Sequence, residues 1–339
     1  MTGAMVYGAL ATKVKAMYGK RLRFADFEKM AAMGSEADVL AYLRQQPGWH
    51  QAAARIQPAA GGYVGRVELE RALREQLYLD YTSLCHFVPR QDREMMSAPV
   101  LLSERDALLF TLRRLKAGKY ALPMPPVPQT VMLGKVDYRA LEKCTDYDGL
   151  LAAAKGSVYH NVLAHLRARQ PGALPDYTIA ESLLRSVYFS HMHRLVHKHY
   201  KGQVKTLLLR ALGEQVDLLN ILHILRLKTY FPDTQMDDYL TMLFPFNYRL
   251  RPEFTRSLCA APDADGVFAL LRQSAYAGSF ENVAVSEVED YYRRAMYAFN
   301  VRQLMGGPPC IYTPMAYLTL RDLELEALIN VIESVKYQV

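Results

Sequence analysis

Two histidines in "HMHRLVHKHY" (191–200) come closest to a chemical site. His193 and His197 stand four apart, on one face of a helix, a spacing that can hold a metal ion. The zinc-protease pattern needs Glu beside the first His, and Arg194 occupies that place. Arg194 and Lys198 would also repel a cation. No GxxxxGK[ST] phosphate cradle and no GxSxG nucleophile turn occur in the chain. "GGYVGR" (61–66) reads as a glycine-rich turn without the strand and helix of a dinucleotide fingerprint. Cys85, Cys144, Cys259 and Cys310 are widely separated and form no CxxC pair, which fits reduced thiols better than a disulfide frame or zinc ribbon. The residues therefore predict no catalytic group, no metal and no cofactor. A metal-dependent enzyme built on His193 and His197 is the competing chemical reading.

The elements that carry these residues are helical. Apolar positions recur at three- and four-residue spacing in "VELERALREQLYLDYTSL", "ESLLRSVYFSHMHRLV" and "VEDYYRRAMYAFNVRQL". The pattern predicts an all-α chain. "YALPMPPVPQTV" (120–131) reads as an extended connector, because proline removes helix hydrogen bonds. Residues 230–252 read as a second connector with room for a short helix, and "GGPPC" (306–310) as a loop. The 339 residues exceed the usual size of one core. The formal charge of +7 suggests an acidic partner. The N-terminus does not read as a signal peptide, and no window reaches the ~18–20 apolar residues of a membrane span.

Three internal repeats organise the helices. An Asp is followed eleven residues later by an aromatic in "DVLAYLRQQPGW" (Asp38, Trp49), "DGLLAAAKGSVY" (Asp148, Tyr159) and "DGVFALLRQSAY" (Asp265, Tyr276). Asp ahead of an apolar run reads as an N-cap, so each segment is expected to be a short capped helix. Next comes Glu-x-x-x-Arg followed by Tyr: Glu70, Arg74 and Tyr78; Glu181, Arg185 and Tyr188; Glu289, Arg293 and Tyr297. Last come "ERDALLFTLRRLKAGKY", "VDLLNILHILRLKTYF" and "ELEALINVIESVKYQV", with acid at the start and Lys near the end, an order that complements the helix dipole. The period of about 110 residues predicts three domains, 1–120, 121–231 and 232–339. Within the middle long helix, Asp217 and Arg226 are nine apart and face opposite ways. They must find partners elsewhere, as polar points that register a helix bundle.

On these segments the chain resembles the C-type component of bacterial and archaeal V/A-type ATPases, known as the d-type component in eukaryotic V-ATPases. The resemblance rests on "YGALATKVKAMYGKRL" at the start, on "DLLNILHILRLKTYF" and on the closing "YLTLRDLELEALINVIESVKYQV". It covers nearly the whole chain. The Asn220 position is Ala107 in the first repeat and Ala327 in the third, and Glu333 stands where the others have Arg113 and Arg226. The resemblance implies three pseudo-threefold-related helical-bundle domains forming a funnel-like socket. It further implies a non-catalytic central-stalk component, one copy per complex, peripheral on the cytoplasmic face of the membrane. Its partners would be the rotor shaft subunits and the membrane rotor ring, between which it transmits torque. The expected partner contacts are the basic ends of the repeated helices: Arg113, Arg114, Arg226 and Lys228. The alternative is a basic helical-repeat protein that binds nucleic acid, with "HMHRLVHKHYKGQVK" as its best local patch.

Overall fold

The computed structural model describes residues 3–57, 66–118, 134–167, 173–244, 246–280 and 283–337. The Pro-rich connector 120–131 and the glycines of the 61–66 turn lie outside them. The fold is all-α: helices hold 75% of the residues and the described ones contain no strand. In chain order the helices are α1 Gly3–Tyr18, α2 Phe24–Ala31, α3 Glu36–Leu43, α4 His50–Arg55, α5 Arg66–Cys85, α6 Ala98–Ala117, α7 Tyr138–Lys143 and α8 Tyr147–Ala153. They continue as α9 His160–Leu166, α10 Tyr177–His199, α11 Gly202–Tyr230, α12 Met236–Met242, α13 Pro252–Ala260, α14 Ala264–Leu271, α15 Val288–Gly306 and α16 Tyr312–Tyr337. The short helix expected within 230–252 is α12, and 307–310 is the loop that ends α15.

The chain divides into two compact units, one of residues 1–103, 123–133 and 297–339, the other of 104–122 and 134–296. In the first, α16 is the spine. Its buried Leu325, Leu328, Ile329, Ile332 and Val335 recur at three- and four-residue steps, so they form one apolar stripe. That stripe closes on Met30, Leu40, Leu43, Trp49 and Leu73 from α2, α3, the turn before α4 and α5. Each fully buried Leu contributes roughly 1.5–3 kcal/mol. The second unit is built from most of α6, from α7 to α14 and from the start of α15, around α10 and α11, with α10 against α9, α11 and α12, and α11 against α14.

The capped helices exist, but their caps lie upstream of the predicted residues. Ser35, Asp146 and Asp263 accept the capping N–H bonds, from Asp38, Gly149 and Gly266 respectively. Asp38, Asp148 and Asp265 sit inside the first turn, where their charge still favours the positive end of the helix. The aromatics that mark the repeats are all buried: Trp49, Tyr159 and Tyr276.

A larger correction concerns the acids of the long helices. Glu104, Asp217 and Glu324 are not at helix starts, because α6, α11 and α16 begin well upstream of them. Each carboxylate instead accepts N–H bonds from the segment leading into the next repeat. Glu104 Oε1 accepts from the amides of Lys135 and of Val136, the latter at 2.9 Å. Asp217 accepts from Tyr248 N (3.0 Å), Arg249 N (2.7 Å) and Leu250 N (3.1 Å), and from the Tyr276 hydroxyl (3.0 Å). Glu324 Oε1 accepts from Leu22 N (2.9 Å) and Trp49 Nε1 (2.8 Å). The ties run cyclically through the sequence, first repeat to second, second to third, third to first. They satisfy backbone donors just ahead of α7, α13 and α2, which a buried chain turn cannot leave unpaired.

Local details adapt each tie. Gly213 lets Tyr248 lie flat on α11, since a Cβ there would come within 2.3 Å of the ring. Asn220 clamps the same connector one turn on. Its Nδ2 donates to Phe244 O and its Oδ1 accepts from Phe244 N. The other repeats have Ala107 and Ala327 at that place. In the first tie, Glu104 Oε2 is buried and takes no hydrogen bond, and burial pushes this carboxyl above its ordinary pKa while the Val136 and Lys135 amides pull it back.

Candidate functional site

The four basic residues expected at partner surfaces separate into two kinds. Arg114 is turned inward. Its guanidinium donates to the carbonyls of Leu141 (2.5 Å), Cys144 (3.2 Å) and Glu142 (3.0 Å), so it caps the carbonyl end of α7. The neighbouring Arg113 lies about 100° away around α6 and is exposed, with its guanidinium 4.6 Å from the Tyr177 ring. Arg226 is exposed and bonds Glu289 on α15 through Nε at 3.0 Å and through Nη2. Glu289 thus serves α11 and not Arg293, which pairs with Asp290 at 2.9 Å. The corresponding Glu181–Arg185 pair forms within α10 as the spacing predicts, at 2.6 Å. Lys228 is half-buried over the Tyr239 ring at 4.8 Å.

Beyond these bases, two of the long helices end in exposed aromatics. Tyr230 and Phe231 close α11 with 71% and 65% exposure, and Tyr337 closes α16 with 64%. Such side chains, next to bases at a helix end, are the kind that anchor protein interfaces. The sequence signal is a Lys followed within three residues by aromatics, in "KTYF" and "KY". The first of these lies at the end of the helix that carries Arg226 and Lys228, and the second ends α16. Lys336, by contrast, is held at 3.5 Å from Glu36 and is mostly covered.

The histidines differ in environment. The His193 and His197 rings lie 4.4 Å apart, and burial, His197 and Lys205 together lower the His193 pKa. Among the described residues no group of three His, Cys, Asp or Glu is placed to hold a metal. His223 on α11 is more strongly perturbed. Burial, then the Arg185 and Arg226 charges, bring its pKa down to about 4. Its folded pKa lies below the unfolded value, so it stays neutral in the fold while the unfolded chain takes up a proton below about pH 6.5. Stability is therefore lost as pH falls from there toward 4. At pH 5 this one group should cost about 2 kcal/mol relative to pH 7. The measurement is the urea midpoint at pH 7 and pH 5 for the native chain and His223→Gln. The native chain should lose more, and equal losses in the two would remove the assignment.

The thiols also bear on chemistry. Burial raises the pKa of Cys85, Cys144, Cys259 (to about 11) and Cys310. A nucleophilic cysteine needs the opposite shift. What the surface offers is positive charge and aromatic contact at helix ends, suited to holding a partner. Among the described residues, no helix is long and apolar enough to cross a membrane. The sequence profile of the family described as ATP synthase (C/AC39) subunit matches residues 10–339. No curated protein matches the chain.

Proposed function

The chain belongs to the ATP synthase (C/AC39) subunit family, and from that premise we propose that it is the non-catalytic central-stalk coupling subunit of a rotary V/A-type ATPase. It links the rotor shaft to the membrane ion-translocating ring and transmits torque between them. The three repeats, 1–120, 121–231 and 232–339, form the three lobes of a socket, peripheral on the cytoplasmic face, with one copy in each complex.

The observation that carries this reading is the family match over nearly the full chain. The cyclic ties support it physically. A torque-bearing part must be stiff. Charge-assisted hydrogen bonds from Glu104 and Asp217 tie distant segments within the second unit with defined geometry, and those from Glu324 do so within the first. Arg113, Arg226 and Lys228, with Tyr230, Phe231 and Tyr337, are the contacts proposed for the shaft and ring. The nucleic-acid alternative gains nothing from the family match, and its best patch remains one short basic stretch.

The test is reconstitution of the complex with and without this chain. With it absent, ATP hydrolysis should continue while ion pumping falls to background. Pumping that stays coupled to hydrolysis in the complex lacking the chain would overturn the proposal.

A further inference from the structure

The second unit carries an apolar groove of about 160 Å³ between α10, α11 and residues 246–248. Buried Phe189 and Val216 lie at its base, and the half-buried Leu209, Leu212 and Phe246 form its sides. Tyr248 can line it because Gly213 leaves room for the ring. The volume is below the ~300–1,000 Å³ of small-molecule sites. It suits a single anchoring side chain of a larger partner, the arrangement in which a few buried contacts carry most of a binding energy.

The flank of the groove is basic. Residues 191–213, the last turns of α10 and the first turns of α11, contain Arg194, Lys198, Lys201, Lys205 and Arg210 and no Asp or Glu. Of these five, only Arg210 forms an ion pair among the described residues, with Glu214 at 2.9 Å. Lys205 stands one turn ahead of Leu209 on α11, and therefore on the groove side of that helix. After burial and His197, its charge is the next influence on His193, which lines the groove. The His193 ring packs 4.4 Å from the His197 ring and 6.0 Å from the Phe246 ring. Apolar surface and positive charge thus adjoin, and among the described lining residues there is no carboxylate.

The geometry points to a docking site for an acidic amphipathic helix of another protein. One bulky apolar side chain of that helix enters the groove, and its carboxylates meet Lys205 and the neighbouring bases. This is helix-in-groove recognition with charge setting the partner's sign. Nucleic acid answers the bases only, because the polar edges of its bases would lie unpaired against Leu209 and Leu212. The groove lies roughly 30 Å along α11 from Lys228, Tyr230 and Phe231, at 1.5 Å per residue. It is separate from the helix-end contacts of the coupling role and stands without that role.

The experiment is fluorescence anisotropy of the full chain with a labelled synthetic peptide of about 18 residues, long enough to form a helix. The peptide carries Leu at three- and four-residue steps on one face and Glu on the other. Its companions replace Leu by Ala, or Glu by Lys, and a single-stranded oligonucleotide of equal net charge is the fourth probe. The Leu/Glu peptide should bind saturably and at least about tenfold tighter than the other three. Lys205→Glu should weaken it at least about tenfold with an unchanged circular dichroism spectrum. Leu212→Asn should remove the preference for the Leu peptide over the Ala peptide and leave the weak, charge-driven binding of both. Absence of saturable binding, equal affinity for the Leu and Ala peptides, or binding that both variants leave unchanged overturns the proposal. Tighter binding of the oligonucleotide also overturns it and assigns the basic stretch to nucleic acid.

Discussion

Asp217→Ala should destabilise the second unit by about 3–5 kcal/mol, since several buried donors lose a charged acceptor together. Four donors lose their acceptor at once: the amides of Tyr248, Arg249 and Leu250 and the Tyr276 hydroxyl. Each buried orphan costs roughly 1–3 kcal/mol, reduced wherever water reaches it. Burial and the nearby Asp217 charge hold the Tyr276 hydroxyl protonated far above its ordinary range, so it remains a donor under all ordinary conditions. In urea the unfolding transition of the second unit should move to lower denaturant, and that of the first unit should stay in place. Asp217→Asn keeps the shape and one acceptor oxygen, so it should recover part of the loss. A change below about 1 kcal/mol in the alanine variant would show that the tie is dispensable.

Arg321→Met is the counterpart in the first unit. The guanidinium lies 3.6 Å from the Trp49 ring centroid and separates Asp80 from Glu324. Methionine retains much of the volume and removes the charge. Two buried carboxylates then face each other without their cation, and the expected loss is again about 3–5 kcal/mol. Adding Asp80→Asn removes one of the stranded charges and should return at least about 1 kcal/mol. If the double variant is no more stable than the single one, the loss comes from packing on Trp49 and not from charge. Both variants are read by urea denaturation, following the first unit.

Much of the architecture can be read from residue periodicity. The helices follow from apolar spacing, a strong local signal, and the aromatics that mark the sequence repeats, Trp49, Tyr159 and Tyr276, are buried. Long-range hydrogen bonds leave no such trace. Glu104, Asp217 and Glu324 stand out in sequence as repeated acids, and a helix-start role is the simplest local account. Their true partners lie 31 or more residues away, beyond any local pattern. The caps illustrate a finer limit. In "TDYDG" and "DADG" two Asp compete for one cap, and backbone conformation selects the first. Arg113 and Arg114 are chemically identical neighbours, and only the angle of α6 decides which meets solvent and which meets the carbonyls of α7. Tyr230, Phe231 and Tyr337 are visible as residues. Their exposure is not, because an aromatic at a helix end is equally at home in a core.

The tie between Glu324 and Trp49 joins residues 275 apart. A ribosome delivers the first repeat long before α16 exists, and the apolar faces of α2 to α5 have no spine to close on until then. The nascent first repeat must wait, exposed, for the tail of its own chain. Slow closure over so long a span follows from topology. A stop codon upstream of Leu325 would therefore unmake the earliest part of the protein together with the latest.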